Sequence, residues 1–283
     1  MHPILFKLGF FRLTTYGALV ALAMVTALYT VVRLGRREGF DSGRLIDFST
    51  WLILTALLGA KLLLILTEWE LYVDHPGEIF SWSTLEAGGV FYGGFIAATV
   101  FAVWYIKVYK LPLWKVFDVY APAIALGQCI GRLGCFAAGC DYGKPTHSFL
   151  GVVFTSSFSH DMTGVPLGVP LYPWQLFESA TMLCIFGILI WRYRHKSRDG
   201  EIFLLYLVLY AVARFFLEFL RGDPNRGFVF NHLLSTSQFI ALLVLGFAAI
   251  LATKWYGPGQ QQARKRPDSA QGSLGMKAPS HSK

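Results

Sequence analysis

Long apolar stretches alternate with short polar ones along almost the whole chain. Seven uninterrupted apolar runs occur near residues 13–32, 48–67, 87–106, 116–137, 174–191, 202–220 and 233–253. A helix of this length, at about 1.5 Å per residue, crosses a hydrocarbon core of about 30 Å. The pattern therefore predicts an all-α polytopic membrane protein with about seven transmembrane helices. The first run is too long for a signal peptide and lacks a convincing cleavage site, so we expect it to be retained as a helix.

The loops between these runs differ in charge, and the difference predicts an orientation. Basic residues follow the first, third, fifth and seventh runs, namely Arg33, Arg36, Arg37, Arg44, Lys107, Lys110, Lys115, Arg192, Arg194, Lys196, Arg198, Lys254, Arg264, Lys265 and Arg266. The loop over 68–86 contains acidic residues and no Lys or Arg. Because Lys and Arg accumulate in cytoplasmic loops, we expect a periplasmic N-terminus and a cytoplasmic C-terminus. Lys7 and Arg12 near the N-terminus oppose this orientation, but they are fewer than the basic residues that support it.

The composition agrees with a membrane protein and divides the chain into two parts. Charged residues make up 15% of the sequence and the mean hydropathy is +0.49, whereas a soluble domain carries about 25% charged residues. The net charge of +8 lies in loops and a tail, so it does not indicate a nucleic-acid partner. We expect a seven-span transmembrane domain over 1–256, with an extracytoplasmic cap over 141–173. The remainder, 257–283, has no apolar face and is predicted to be a disordered basic cytoplasmic tail.

The stretch from Gly131 to Thr146 carries most of the candidate chemistry. Within or beside an apolar run it holds Arg132, two cysteines, a carboxylate and several glycines. A charge at that depth costs several kcal/mol on any scale, on the order of 3 kcal/mol by insertion measurements, so it is kept chiefly where it functions. Glycines permit positive φ and close backbone approach, which suits a chain that surrounds a ligand. The stretch is therefore interpreted as the floor of a site.

A second cluster of charges lies at the end of the sixth run. Arg214, Glu218 and Arg221 are spaced i, i+4 and i+7, so on a continuous helix they share one face. One interpretation is a buried structural ion pair. However, this face has a surplus cation, and Arg132 adds another on the same side of the membrane. Guanidinium groups match phosphate oxygens bidentately, which favours a phospholipid head group as the anion.

Other polar residues in the apolar runs have two interpretations each. Lys61 either contacts a ligand or extends its amine to the membrane surface. Gln175 and Glu178 either belong to the site or mark the polar start of a helix.

Cys129, Cys135 and Cys140 lack the short paired spacings of zinc and iron–sulfur sites, so we predict no metal. They are interpreted as small apolar residues, with a redox-active thiol pair as the alternative.

Taken together, the motifs resemble the prolipoprotein diacylglyceryl transferase family of bacterial inner membranes. The matching residues, in order over about 3–240, are Tyr16-Gly17, Gly59-Ala60-Lys61, Tyr92-Gly93-Gly94, Gly131-Arg132-Leu133-Gly134 with Phe136, Gly139 and Gly143, Pro173 with Gln175, Leu176 and Glu178, and Tyr210 with Arg214, Phe215, Glu218 and Arg221. The resemblance implies transfer of the diacylglyceryl group of phosphatidylglycerol to the lipobox cysteine of a prolipoprotein. The products would be a thioether and glycerol 1-phosphate, with no metal or cofactor required.

The resemblance also implies roles for individual residues. Arg132 and Arg214 would neutralise the phosphate, Glu218 would orient Arg214, and Tyr92 would contact the head group or the thiol as a catalytic residue. The expected phosphatidylglycerol-binding residues are Arg132, Tyr16, Lys61, Gly134, Gly139, Gly143, Arg221, Gln175 and Glu178. The partners implied are phosphatidylglycerol, the signal peptides of prolipoproteins and membrane lipid.

This sequence departs from the family pattern at several positions. Some members have His where this chain has Tyr92, Asn at Cys135 and Ala138, Glu at Cys140, and Arg at Lys61. A tyrosine with a pKa near 10 is a poor base at neutral pH, so the retained arginines favour electrostatic catalysis over a histidine base. Asp141 could replace the missing glutamate. Two other hypotheses are a phospholipid-binding or transport protein and a membrane thiol-redox protein.

Overall fold

The computed structural model describes residues 3–8, 11–81, 84, 89–223, 227–230 and 233–256. In this part of the chain the helices are, in order, α1 (Thr15–Arg37), α2 (Ser42–Thr67), α3 (Trp69–Asp74), α4 (Phe91–Val108), α5 (Leu113–Ala138), α6 (Ser157–Thr163), α7 (Trp174–Tyr193), α8 (Glu201–Leu217) and α9 (Thr236–Tyr256). Short 3-10 helices cover Pro76–Phe80 and Glu218–Leu220. Seven helices, all but α3 and α6, are long and apolar enough to cross a membrane, which confirms the predicted number of spans.

Local chemistry determines where several helices begin and end. The hydroxyl of Thr14 accepts a hydrogen bond from the Gly17 amide at 3.1 Å and caps α1. The Asp41 carboxylate accepts one from the Arg44 amide at 2.8 Å and caps α2 in the same way. At the C-terminal end of α5, Gly139 adopts a left-handed φ of 86°, a conformation that glycine reaches without steric cost. The chain therefore turns sharply immediately after the Arg132 region.

Helix α5 is the centre of the bundle. It packs against α1, α7 and α8, while α8 also packs against α9 and α2 packs against α4. Small residues on α5, including Ala121, Ala123 and Ala125, are buried in the main core and allow the helices to approach closely. Gly59 and Gly93 meet where α2 crosses α4, because a Cβ atom at Gly59 would come within 2.5 Å of the Gly93 carbonyl oxygen.

A buried carboxylate joins α5 to the start of α8. Asp118 is fully buried, and its oxygens accept hydrogen bonds from the amides of Gly200, Ile202 and Phe203 at 2.7, 2.9 and 3.0 Å. These amides lie at the N-terminus of α8, where unpaired donors need acceptors. Lys196 adds an ion pair to Asp118 at 3.3 Å. Asp118 is thus a structural residue that fixes the direction of α8.

The strands form three small antiparallel pairs: β1 (Ile4–Leu8) with β2 (Phe11–Thr14), β3 (Val152–Val153) with β4 (Pro170–Leu171), and β5 (Phe228–Val229) with β6 (Leu234–Ser235). The β3–β4 pair and α6 belong to the long connection over 141–173. Phe154, Val165 and Leu171 form a small core inside this connection. The segment is therefore folded, and its location outside the cytoplasm stays a prediction.

The structure differs from the sequence prediction at the end of the sixth span. Arg214, Glu218 and Arg221 do not share one continuous helical face, because α8 ends at Leu217 and Arg221 is extended, with φ −71° and ψ 136°. The extended backbone lets Gly222 donate to the Tyr142 carbonyl at 3.0 Å. The predicted tail over 257–283 and positions 87 and 88, at the start of the third apolar run, lie outside the described residues.

Candidate active site

Three arginines surround the ring of one buried tryptophan. Trp174 is the first residue of α7, is fully buried, and donates from Nε1 to the Leu217 carbonyl at 2.7 Å. The guanidinium carbons of Arg132, Arg214 and Arg221 lie 5.2, 5.0 and 5.1 Å from its ring centroid. These distances are typical of cation–π contacts. Trp174 therefore gathers cations from α5, from α8 and from the segment after α8.

Two buried glutamates pair with the arginines. The Oε2 atom of Glu178 lies 2.8 Å from Arg132 Nε and 4.0 Å from Arg214 Nη1. Arg214 Nη2 lies 3.1 Å from Oε2 of Glu218, so the predicted i, i+4 ion pair is confirmed, and it also donates to Ser237 Oγ at 2.9 Å. Buried charges require such partners, because an uncompensated one is strongly destabilising. The glutamates therefore hold Arg132 and Arg214 in fixed positions.

Asp141 occupies the space between two of the guanidinium groups. Its Oδ2 accepts from Arg132 Nη1 at 2.7 Å and its Oδ1 accepts from Arg221 Nη2 at 2.6 Å. The Asp141 side chain is 29% exposed, whereas that of Glu178 is 2% exposed. Asp141 thus marks an anion site between Arg132 and Arg221 and is its most accessible occupant.

The sequence predicts a surplus of positive charge at this site, and for the described residues that prediction is wrong. The three arginines form ion pairs with four carboxylates, which are Asp141, Glu178, Glu218 and Asp223. The second carboxylate on Arg221 is Asp223, whose Oδ1 lies 2.5 Å from Arg221 Nε. An external anion therefore has to displace an internal carboxylate from the arginines.

The surroundings of Arg221 favour its charged form. Burial acts to lower the pKa of Arg221, but the hydrogen bond to Asp223 and the charge of Asp141 outweigh it and raise the pKa above its usual value. Burial and the neighbouring Asp223 likewise raise the pKa of the Tyr142 hydroxyl. Arg221 is thus cationic, and Tyr142 is a neutral hydroxyl, at neutral pH.

A backbone bridge holds Arg221 beside Asp141. Gly143 pairs with Arg221 in an antiparallel bridge, and the Lys144 amide donates to the Leu220 carbonyl at 2.9 Å. A Cβ atom at Gly143 would lie 2.8 Å from the Cβ of Tyr172 and would also collide with the Tyr172 carbonyl oxygen. Only glycine fits here, so Gly143 maintains the pairing that positions the anion site.

An apolar cavity of about 330 Å³ begins one residue from Arg132. It lies between α1, α2 and α5 and extends from Gly131 past Gly127 and Ile124 to Val31. Its few polar groups include Gln128 and Ser49. The cavity and the anion site thus draw on consecutive residues of α5, Gly131 and Arg132.

Comparison with known proteins decides the family. The model of the prolipoprotein diacylglyceryl transferase family matches residues 3–254. The chain belongs to the prolipoprotein diacylglyceryl transferase family. Its relatives include a phosphatidylglycerol–prolipoprotein diacylglyceryl transferase of Clostridium tetani, 36% identical over 87% of this chain and 94% of the relative. Another is phosphatidylglycerol–prolipoprotein diacylglyceryl transferase 2 of Clostridium perfringens, 33% identical over 87% of this chain and 92% of the relative.

In this transferase-family protein, most of the residues predicted for the site lie together. Arg132, Arg214, Arg221, Glu178 and Glu218 form the cluster described above. Gln175 lies beside this cluster: it is buried and donates to the Cys140 carbonyl at 2.7 Å, which anchors the chain just before Asp141.

Tyr16 and two glycines support the same region by packing. A Cβ atom at Gly134 would lie 3.3 Å from the Tyr16 ring, so Tyr16 covers α5 one turn from Gly131. A Cβ atom at Gly139 would lie 3.1 Å from Val165 in the small core of the 141–173 segment. These glycines thus permit close packing around the cluster.

Tyr92 and Lys61 lie on the α2–α4 pair. The amine of Lys61 donates to the Thr84 carbonyl. The Tyr92 ring contacts that of Phe91, with centroids 5.8 Å apart, and the residue is 55% exposed. Among the described residues, no hydrogen bond or ion pair joins Tyr92 to the arginines, so the structure does not bring it into the cluster.

Two cysteines border the anion site. The Sγ atoms of Cys135 and Cys140 and a carboxylate oxygen of Asp141 lie within 4.8 Å of one another, so these three groups could offer ligand atoms to a metal ion. The third cysteine of the cluster, Cys129, is buried, and its Sγ lies 3.4 Å from the Ser179 hydroxyl. Cys129 therefore behaves as a core residue and the other two belong to the site.

Sequence reasoning did not identify Trp174 or Asp223 as part of the site. Trp174 follows Pro173 within a recognised motif, and a tryptophan at a helix start among charged residues was the available signal. Asp223, two residues after Arg221, had no distinguishing pattern.

Proposed function

We propose that this protein transfers the diacylglyceryl group of phosphatidylglycerol to a cysteine thiol of a prolipoprotein. The names of its relatives support both substrates. In the reaction the cysteine sulfur, having lost its proton, attacks the glyceryl carbon. The bond from that carbon to the phosphate oxygen breaks, a thioether forms, and glycerol 1-phosphate leaves with the electron pair. Negative charge therefore grows on the phosphate oxygens.

The Asp141 carboxylate held between Arg132 and Arg221 is the observation that carries this proposal. A phosphate that replaces Asp141 meets the same two guanidinium groups, which match its oxygens. Fixed cations stabilise the leaving phosphate more than the bound ester, and this difference lowers the barrier. Arg132 and Arg221 thus bind the phosphate as it leaves.

Arg214 supplies a further cation to the same phosphate. Its Nη1 has no hydrogen-bond acceptor among the described residues and stands 4.0 Å from Glu178. This N–H is buried, so it meets a phosphate oxygen only after the phosphate has replaced Asp141, while Glu218 holds the other end of the guanidinium. We therefore assign a catalytic role to Arg132 and Arg214 and an orienting role to Glu218.

The apolar cavity beside Gly131 accommodates part of the lipid. Its volume of about 330 Å³ suits a stretch of acyl chain, and its lining is almost wholly apolar. The acyl chain enters the cavity from an equally apolar bilayer, so the cavity favours it by close packing rather than by removing it from water. The cavity thus distinguishes a diacyl lipid from a free phosphate ester.

The tyrosines and Lys61 have supporting roles in this proposal. Tyr16, packed on Gly134, and Tyr92 contact the head group or the cysteine of the peptide. We assign neither of them as the base for the thiol, because a phenol is in general a weak base. Lys61 supports binding by holding Thr84, to whose carbonyl its amine donates.

The protein acts in the bacterial inner membrane, with the N-terminus and the site on the periplasmic side and the C-terminus in the cytoplasm. The distribution of Lys and Arg supports this orientation. The acceptor is the lipobox cysteine of a signal peptide, which reaches the site from the membrane. Residues 1–256 form the catalytic domain, with 141–173 as its cap, and 257–283 are a tail.

The test is an assay of purified protein in detergent with phosphatidylglycerol and a lipobox peptide, read by the mass of the peptide. We expect a diacylglyceryl gain on cysteine that Arg132→Ala and Arg214→Ala abolish. The control Arg33→Ala changes an exposed arginine on α1 that bonds Tyr29, and it should retain full activity. Full activity of Arg132→Ala would overturn the site. Lipid binding without transfer by the wild type would instead favour a phospholipid-binding protein.

A further inference from the structure

Cys135 and Cys140 are placed to form a disulfide. Cys135 lies in the last turn of α5, and the left-handed Gly139 folds the chain back so that Cys140 returns beside it. Their Sγ atoms lie within 4.8 Å of each other, and the Cys140 thiol donates to the Cys135 carbonyl at 3.7 Å. Closing a bond of about 2.05 Å from this separation needs side-chain rotation and a small backbone adjustment. Both residues are partly exposed, so a reagent can reach them.

The charges around the pair distinguish the two sulfurs. Arg132 Nη1 stands 3.9 Å from Cys135 Sγ, and a nearby guanidinium stabilises a thiolate. The hydrogen bond with Cys135 and burial raise the pKa of the Cys140 thiol. Cys135 is therefore the sulfur that attacks an oxidant, and Cys140 is the one that resolves the mixed disulfide.

The same surroundings favour a disulfide over a metal ion. The third donor of the cluster, Asp141, already accepts hydrogen bonds from Arg132 and Arg221. A cation bound to the two sulfurs and Asp141 would meet two guanidinium groups at close range, and this repulsion is unfavourable. A disulfide is neutral and leaves both ion pairs in place.

Asp141 connects the thiol pair to the anion site. It follows Cys140 directly and has a φ of 53°, an uncommon conformation for a residue with a side chain. The Cys140 carbonyl is held by Gln175 at 2.7 Å. A bond from Cys140 to Cys135 would replace the weak hydrogen bond of the Cys140 thiol with a covalent link from this turn to α5. Asp141 would then be held more firmly between Arg132 and Arg221, where the phosphate has to displace it.

We propose that Cys135 and Cys140 form a reversible disulfide, and that closing it weakens the binding of phosphatidylglycerol by retaining Asp141 in the anion site. The oxidant is a disulfide, such as that of a periplasmic thiol–disulfide oxidoreductase. The Cys135 thiolate attacks one of its sulfurs and releases the first thiol. The Cys140 sulfur, losing its proton, then attacks Cys135 and releases the second thiol. Two electrons pass to the oxidant, and the two protons of the cysteines end on the released thiols.

The disulfide is tested on the purified full-length protein with oxidised glutathione, followed by alkylation and intact-mass measurement. The chain contains four cysteines, and we expect two fewer alkyl adducts after oxidation, with all four restored by dithiothreitol. Cys140→Ser and Cys135→Ser should each abolish closure, whereas the matched control Cys184→Ser should still lose two adducts. Unchanged alkylation, or a stable glutathione adduct without closure, would overturn the disulfide.

The effect on transfer rests on the proposed function and has its own measurement. We expect oxidised wild type to show a KM for phosphatidylglycerol raised severalfold, with reversal by dithiothreitol and no change in oxidised Cys140→Ser. Oxidised Asp141→Asn should also show no rise, because the competing carboxylate is absent. A closed disulfide with an unchanged KM would overturn the regulatory part. Absence of transfer in the reduced wild type would instead overturn the proposed function and leave the alkylation result intact.

Discussion

The guanidinium group of Arg132 lies against the indole of Trp174, 5.2 Å from the ring centroid, although the two residues belong to different helices. Arg214 and Arg221 contact the same ring at 5.0 and 5.1 Å. A single aromatic ring therefore offers its electron-rich surface to three cations that would otherwise repel one another. The contact with the ring helps to position the arginines. Unlike the carboxylates that also pair with them, the ring does not cancel their charge.

Trp174→Leu should reduce diacylglyceryl transfer by about tenfold or more, because a desolvated cation–π contact is worth about 2 kcal/mol. Trp174→Phe is the matched variant, since both changes lose the hydrogen bond from Nε1 to Leu217 but only phenylalanine keeps an aromatic ring. Steady-state kinetics with phosphatidylglycerol and a lipobox peptide measure the difference, and we expect it mainly in kcat. Equal activity of the two variants would show that the ring has no role in positioning the arginines.

Asp141→Asn should lower the KM for phosphatidylglycerol severalfold. The asparagine has a similar shape but carries no charge, so the phosphate no longer competes with a carboxylate for Arg132 and Arg221. Asp161→Asn, at an exposed position of α6, is the control and should leave the KM unchanged. A folded Asp141→Asn variant with a raised KM would mean that the carboxylate assists binding.

Gly143→Ala should destabilise the protein and abolish transfer, because its new methyl group would collide with Tyr172. The collision separates the strand-like pairing of Gly143 with Arg221 and so removes one side of the anion site. Gly187→Ala in α7 is the matched control, since no atom of the described residues beyond the neighbouring helix backbone lies within 4 Å of its added methyl group. Thermal unfolding in detergent should show a lower Tm for the first variant only. A normal Tm with full activity in Gly143→Ala would contradict this role.

Asp118→Ala should lower stability without changing the chemistry. It leaves three amides at the start of α8 without their acceptor, and each buried unsatisfied donor costs about 1–3 kcal/mol. The exposed Asp199 also pairs with Lys196, so Asp199→Ala tests the loss of an ion pair alone and should have little effect. Thermal unfolding measures the loss, and kcat per folded molecule should stay at the wild-type value. A large fall in kcat for folded Asp118→Ala would place it in the catalytic machinery instead.

Short-range patterns were sufficient for part of the site. The Arg214–Glu218 pair follows from an i, i+4 spacing within one helix, and it is present at 3.1 Å. The prediction that Arg221 shares that face was wrong, because the helix ends three residues earlier than the apolar run. The run continues to Leu220, but backbone pairing with Tyr142 and Gly143 extends the chain at Arg221. Hydropathy carries no information about such a distant backbone partner.

By itself the sequence determined the seven spans, because a bilayer of fixed thickness requires runs of apolar residues of fixed length. It also determined the family, since the motifs that carry it are local and ordered. Only the tertiary structure decided which carboxylates neutralise the arginines and which ring gathers them. Asp141 meets Arg221 across 80 positions, and Trp174 meets Arg132 across 42. Contacts of that kind depend on how α5, α7 and α8 pack around one another. The opposite charges come together because this packing buries their side chains side by side, and residue spacing along the chain does not reveal it.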